Sequence, residues 1–370
     1  MSNQIVLDAP NLGALEKEYL AKALDSNFVS TVGPFVPEFE TKFASYLNAG
    51  GAVAVQSGTA AIHMALYELG IGAGDEVIVP AITFIATVNP IMYVGATPVF
   101  VDIDGDTWNM DPAAVRKAIT SKTKAILPVH LYGNPCAMSE IMDIAKQYGL
   151  YVIEDATESL GALYKGKATG TFGEMGCFSF NGNKVITTGG GGMVTADDPE
   201  RASHVKFLVN QARDASKDFY NHPEVGFNNR MTNLEAALGL AQFQRVMEFL
   251  RKKRQFFEEY RRILDGNEAL SLQKELPGAR SSVWMSSVRF NSKKVHLTIP
   301  EIMTRLKEKG IPSRRIFQPI LESRPYQKYK CGDYPNSYEL FEYGLNLPSS
   351  TLNSIENIRD TANSLLEIIG

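Results

Sequence analysis

Residues 52–70 read AVAVQSGTAAIHMALYELG. The run AVAV is short, apolar and rich in valine, which suits a strand buried on both faces. Ser57-Gly58-Thr59 then turns the chain, and a helix-length pattern follows. A helix start carries unpaired N–H groups and the positive end of the helix dipole, which together suit a phosphate. Gly58 permits close approach, Thr59 adds a hydroxyl, and Ala60 completes the turn. The same residues also make an ordinary Ser/Thr N-cap, so the turn alone leaves both readings open.

The strand-then-helix pattern repeats outward from this stretch. DEVIVPA (75–81) precedes TFIATVNPIMYVG (83–95), and TPVFVDI (97–103) precedes DPAAVRKAIT (111–120). TKAILPVHLYG (123–133) precedes AMSEIMDIAKQYG (137–149), and LYVIEDA, GCFSF and GGMVTA follow before residue 197. Short β-rich runs separated by helices predict an α/β fold whose mainly parallel sheet is covered on both faces. The pattern loosens after the helical stretch 233–264. SSVWMSSVRF (281–290) reads as a strand, TIPEIMTRLKEKGI (298–311) as a capped helix, and 351–369 as a last helix. The expected division is a large domain over 1–245, including the N-terminal segment, and a smaller α/β domain over 246–370.

Of the 370 residues, 44% are hydrophobic and 21% charged, with a formal net charge of -4. No long basic run supports binding to nucleic acid or an anionic membrane. The mixed cluster RKKRQFFEEYRR (251–262) reads as the outer face of an amphipathic helix. Cys136, Cys177 and Cys331 are far apart and form no CxxC, so neither a disulfide framework nor a metal site is expected. The N-terminus lacks the pattern of a signal peptide, and no apolar run approaches the roughly 20 residues that span a bilayer. A reduced, cytoplasmic protein is the expectation.

Ligands of open α/β sheets bind beyond the carboxyl ends of the strands. YVIEDATESLGA (151–162) delivers Asp155 to such an end, where burial calls for a cationic partner. CFSFNGNKVITTGGGGM (177–193) places Lys184 just after a strand carrying Ser179. A lysine in a buried pocket loses its proton readily and attacks carbonyl carbons. Taken singly, Lys184 also reads as a surface lysine and Asp155 as a turn cap. GFNNRMTNLEAALGLAQ (226–242) crowds Asn228, Asn229 and Arg230 before a helix, where they either precede a cap or close over a phosphate. Phe84 follows a strand and either stacks on a ring or packs in the core. A phosphate-binding helix start, a strand-end aspartate and a pocket lysine together match the binding logic of pyridoxal phosphate.

These motifs, with STVGPFVPEFE (30–40), GIPSRRIFQPI (310–320) and LNLPSS (345–350), resemble the DegT/StrS family of sugar aminotransferases over nearly the whole chain. The resemblance implies the aspartate-aminotransferase fold (fold type I), with a mainly parallel seven-stranded sheet and a smaller C-terminal α/β domain. It implies pyridoxal 5'-phosphate, passing through pyridoxamine phosphate, as the cofactor. Lys184 then binds the cofactor covalently and shuttles the proton, and Asp155 faces the ring nitrogen. Gly58, Thr59, Ala60 and Ser179 cradle the phosphate, Phe84 stacks on the ring, and Asn228 reaches the phosphate of a neighbouring subunit in a homodimer. Thr31, Arg230, Arg315 and Phe317 are candidate substrate contacts. Two departures stand out. Glu158, near the expected phenolic oxygen, replaces a more usual Gln or His, and Gly190 replaces an acid. The implied reaction moves an amino group from L-glutamate to a nucleotide-linked keto sugar, with carbon 4 of a UDP-linked 4-keto-6-deoxy-N-acetylhexosamine as the first expectation. GDP- or dTDP-linked 4-keto sugars and 3-keto sugars are the alternatives. Lys184 argues against the related dehydratases, which carry His there, and the intact set of site residues argues against a non-catalytic regulator.

Overall fold

The computed structural model describes residues 4–370. Seven strands form the large sheet: β1 (Gly51–Val55), β2 (Glu76–Pro80), β3 (Thr97–Val101), β4 (Thr123–Ile126), β5 (Tyr151–Asp155), β6 (Met175–Ser179) and β7 (Gly192–Ala196). Their order across the sheet is β1-β7-β6-β5-β4-β2-β3. Only β7 runs antiparallel to its neighbours; the other pairings are parallel.

Successive side chains of a strand point to opposite faces, so each apolar run feeds two cores. Val53 and Val55 share a core with Ile62 and Ala65 of the helix Gly58–Glu68. Ala54, between them, joins Phe39 and Phe43 of the helix Phe35–Leu47. In β2, Val77 and Val79 lie on one side and Ile78 on the other. This two-sided burial is why the strands read as continuous apolar runs.

A second, antiparallel sheet gathers β8 (Leu270–Leu272), β9 (Ser286–Phe290), β10 (Arg314–Arg315) and β11 (Gly344–Leu347) in the order β8-β9-β11-β10. Helices Val246–Leu264, Ile299–Glu308 and Ile355–Ile369 share its core. The charged cluster 251–262 lies on the first of these helices. Phe256, Tyr260 and Leu264 are buried, while Arg261 and Arg262 pair outside with Glu258 and Glu259. Burying each large apolar side chain contributes about 1.5–3 kcal/mol, well above the exposed ion pairs.

The helix Ala14–Asp25 of the N-terminal segment packs on the helix Asn233–Gln244, and the residues before it reach the C-terminal elements. Asn353 Oδ1 accepts the Val6 N–H at 2.8 Å, Asn353 Nδ2 donates to Val6 O at 2.7 Å, and the Ser349 N–H donates to Leu7 O at 2.7 Å. An extended segment with no strand partner of its own satisfies its backbone on the loop after β11. A carboxylate at the end of β3 fastens the C-terminal elements to the large sheet. Asp102 accepts the N–H groups of Asn336 and Ser337 at 3.0 and 2.9 Å, at the start of the helix Pro335–Tyr343. A carboxylate is favourable at a helix N-terminus. Among the described residues, no helix is long and apolar enough to cross a membrane.

Candidate active site

The carboxyl ends of β1, β5 and β6, with the loop after β2, open into a cavity of about 450 Å³. Ser57, Gly58 and Thr59 line one wall, where the helix Gly58–Glu68 begins. Ser57 Oγ accepts the Ala60 N–H at 3.0 Å, so the N-cap reading holds for Ser57 itself. The first-turn N–H groups of a helix have no intrahelical partner, and Ser179 lies beside this helix start on the cavity wall. A Cβ on Gly58 would come 2.8 Å from Ser179 Cβ and 2.9 Å from Thr157 Cγ2. Glycine is required there because only its absent side chain lets Ser179 and Thr157 close over the helix start. The wall therefore fits a phosphate.

Asp155 is buried at the end of β5 and lines the same cavity. Its Oδ2 accepts the Thr87 hydroxyl at 2.6 Å and its Oδ1 accepts the Thr157 N–H at 3.1 Å. Each carboxylate oxygen has a second lone pair, which leaves room for a ring N–H. Lys184 follows β6, and its side chain is 13% exposed. Nζ lies 3.8 Å from the centre of the Trp284 ring and 3.5 Å from Glu158 Oε1. Burial pulls the Lys184 ammonium below its usual range, against the opposing charges of Glu158 and Asp155. That favours the free amine a nucleophile needs.

Glu158 is buried, and its Oε2 accepts the Tyr132 N–H at 2.8 Å. Burial raises its carboxyl pKa, and Lys184 opposes the rise. Replacing it by glutamine keeps the Tyr132 acceptor but removes the first-named charge holding a proton on Lys184. Glu158→Gln is therefore expected to increase reductive methylation of Lys184 in the apoenzyme at pH 8 at least about threefold. Peptide mass spectrometry at residue 184 reads the rate, and an unchanged rate would exclude Glu158 as a control on this amine.

Phe84 stands 53% exposed at the cavity wall, with its ring centre 5.6 Å from that of Phe317. Phe317 also lines the cavity and stacks on Tyr132 at 5.4 Å. Thr31, Arg230 and Arg315 are not brought to this cavity. Thr31 lies beside the start of the helix Asn233–Gln244, where the neighbouring Ser30 carbonyl accepts the Asn233 N–H at 2.6 Å. Arg230 is buried against the Glu40 carboxylate, which also takes the Ala54 N–H at 2.9 Å. Arg315 lies over the Phe341 ring at 4.0 Å and donates from Nε to Phe341 O at 3.2 Å. Ala60 sits behind the wall, and Asn228 is exposed in a loop whose backbone bridges to Asn210.

The structure adds residues that sequence reasoning passed over: Thr87 on Asp155, Trp284 beneath Lys184, and Arg314. Trp284 is pinned by its indole N–H, which donates to Asn183 O at 2.7 Å. Behind it, the buried Lys253 ammonium donates to the carbonyls of Trp284 and Ser349, both at 2.9 Å. Burial brings the Lys253 pKa down to about 8. The one available signal was the tryptophan in SSVWMSSVRF (281–290), which the structure places in a bend just before β9 rather than within the strand expected there. At Gly190 an added Cβ would lie 3.4 Å from Glu235 Oε1. An acid at 190 would set two carboxylates against each other, which accounts for the glycine. Among the described residues, no cluster of His, Cys, Asp and Glu is arranged to hold a metal ion.

Comparison with known proteins agrees with this geometry. The profile of the DegT/DnrJ/EryC1/StrS aminotransferase family matches residues 10–366. GDP-perosamine synthase of Caulobacter vibrioides is 42% identical over 348 residues, covering 94% of this chain and 93% of that protein. GDP-perosamine synthase of Escherichia coli O157:H7 is 41% identical over 340 residues, covering 92% of each. The putative sugar aminotransferase Spr1654 of Streptococcus pneumoniae, in its PMP form, superposes with a TM-score of 0.91 at 28% identity, covering 98% of each chain. With Ser57–Thr59, Ser179, Asp155 and Lys184 gathered around one cavity, the chain belongs to the DegT/DnrJ/EryC1/StrS aminotransferase family and is a sugar aminotransferase that uses pyridoxal phosphate.

Proposed function

We propose that the chain transfers the amino group of L-glutamate to the 4-keto group of a GDP-linked 4-keto-6-deoxy sugar. The observation that carries the chemistry is Lys184 Nζ set over Trp284 in the cavity that also holds Asp155 and Ser179. The choice of nucleotide rests on the two GDP-perosamine synthases, each matched over more than nine-tenths of its length. It departs from the UDP-linked N-acetylated sugar expected first. A reading as a 3-aminotransferase of a UDP-linked sugar is favoured by a relative that is 38% identical over 282 residues, covering 76% of this chain.

Bound pyridoxal phosphate supplies an aldehyde carbon that accepts and returns the amino group, and a ring that takes up electrons. The chain's residues do the rest. The helix start at Ser57–Thr59 and the Ser179 hydroxyl hold the phosphate, and Phe84 covers a ring face. Asp155, braced by Thr87, keeps a proton on the ring nitrogen. Lys184 Nζ takes the proton from the reacting carbon of the donor and later delivers one to the sugar carbon. Asn228 is exposed and does not line its own cavity, and it serves that of a second subunit. The exposed Phe219, Tyr220 and Val225 in the loop before it are suited to subunit contact.

The test is a panel of GDP-, dTDP- and UDP-linked 4-keto and 3-keto sugars with L-glutamate, read by mass spectrometry. The GDP-linked 4-keto sugar is expected to give a kcat/KM at least about tenfold above the others. Preference for a UDP-linked sugar would return the assignment to the first expectation.

A further inference from the structure

Lys253 is buried on the helix Val246–Leu264 and lines no part of the cavity that holds Lys184. Among the described residues its hydrogen-bond partners are two carbonyls, those of Trp284 and Ser349. Asp8, the acid whose charge reaches it, is bonded instead to Asn183 and Arg314, at 2.9 and 2.8 Å. A buried cation with no carboxylate against it is unfavourable. Packing alone would be served better by an apolar side chain of the same length.

The two carbonyls belong to different segments. The Ser349 side is held independently, because the same helix donates from Tyr260 to Pro348 O at 3.0 Å and from Lys252 to Thr351 O at 2.6 Å. The Trp284 side is not at rest. Val283, just before it, has φ +50°, the left-handed region that a β-branched residue strongly disfavours. Such a conformation persists only where the surroundings over-determine it. Ser281 Oγ accepts the Val283 N–H at 2.9 Å, the Ser282 N–H donates to Gly133 O at 3.1 Å, and Lys253 holds the Trp284 carbonyl. The turn so fixed sends the indole to the cavity wall, where Lys184 Nζ lies 3.8 Å from its ring centre.

Resting on the reading of Lys184 as the reacting amine, we infer that Lys253 is a positioning residue, whose ammonium holds the Trp284 carbonyl and thereby keeps the indole as a floor under Lys184 Nζ. Without that hold the turn relaxes at Val283, the indole shifts, and Nζ loses the surface that confines it. Lys253 acts through Trp284 and meets no substrate.

The experiment compares wild-type holoenzyme with Lys253→Met, Trp284→Ala and the double variant. Acrylamide quenching reads the indole directly: the chain has two tryptophans, Trp108 and Trp284, both buried, and Trp284→Ala supplies the blank for Trp108. The cofactor's absorbance change with glutamate alone reads the chemistry. Lys253→Met is expected to raise the Trp284 quenching constant at least about threefold and to slow the half-reaction at saturating glutamate at least about tenfold. The half-saturating glutamate concentration is expected to stay within about threefold, because no substrate contact is lost. Adding Lys253→Met to Trp284→Ala is expected to slow the reaction less than about twofold further, since no indole remains to be placed. Lys253→Gln, too short to span both carbonyls, decides the matter if the methionine variant fails to fold. Smaller changes in quenching or in rate in the variant that folds overturn the inference. So do losses that multiply in the double variant, because a merely stabilising lysine acts independently of the indole. If glutamate leaves the wild-type spectrum unchanged, or Lys184→Ala keeps turnover, the reading of donor or amine fails, and the quenching alone decides whether Lys253 places the indole.

Discussion

Lys184→Ala is expected to lower kcat at least about ten-thousand-fold while leaving the fold intact. On the proposed mechanism two contributions are lost together: covalent attachment of the cofactor, and the group that moves the proton at the reacting carbon. Asp155, Thr87 and the phosphate cradle do not depend on Lys184, so the cofactor still binds non-covalently. The ammonium is buried and pulled below its usual range by that burial, so its removal relieves a desolvation cost. Thermal unfolding is accordingly expected at the wild-type temperature or above. Borohydride reduction of wild-type holoenzyme should mark residue 184 with the cofactor's mass, and the alanine variant should carry no such mark. Steady-state turnover within a hundredfold of wild type would remove Lys184 from its role.

Glu154→Ala is expected to cost at least about 4 kcal/mol of stability, although Glu154 never meets a substrate. It sits one residue before Asp155 and points to the opposite face of β5. Its Oε1 accepts the N–H groups of Phe172 and Gly173 at 2.5 and 3.0 Å. Its Oε2 accepts that of Gly170 at 2.8 Å and meets His130 Nε2 at 3.0 Å. His130 Nδ1 accepts the Cys136 N–H at 3.1 Å, so the ring proton facing Glu154 is on Nε2. Alanine leaves the half-buried N–H groups of Phe172 and Gly173 without this acceptor and strands those of Gly170 and His130 in the interior, the buried ones at about 1–3 kcal/mol each. Against the 5–15 kcal/mol that holds a typical domain together, that brings the chain close to unfolding. Urea unfolding of the apoenzyme measures the loss, and a loss under about 1 kcal/mol would show that water or other groups replace the carboxylate. Cofactor retention should fall with it, because the loop 169–173 braces the strand end that presents Asp155.

Glu154-Asp155 shows how far the sequence could be read. The apolar run before the pair places both acids at a strand's end, and the motif around them singles out Asp155. Nothing local says that Glu154 ties down a loop up to 19 residues away, or that Thr87, 68 residues earlier, holds the other acid. Lys184 and Ser179 were legible because strand, turn and glycines lie in one short stretch. Trp284 was not, because it joins them from 100 residues on, with β7, three helices and the first strand of the second sheet between. Arg230 misled because its loop looks cationic and open, whereas Glu40, on a helix near the N-terminus, neutralises it inside the core.

By itself the sequence determined the α/β class, the mainly parallel sheet and the cofactor, and it singled out Lys184 as the candidate to hold that cofactor. Those follow from local periodicity, turn chemistry and short ordered motifs, which need no knowledge of what packs against them. Only the tertiary structure decided which of two adjacent arginines faces the cavity. A strand's faces are set by its pairing, and β10 is a two-residue strand whose register comes wholly from β11. The same dependence on distant partners placed Trp284 under Lys184, set Asp8 against Arg314 and put the Glu235 carboxylate beside Gly190.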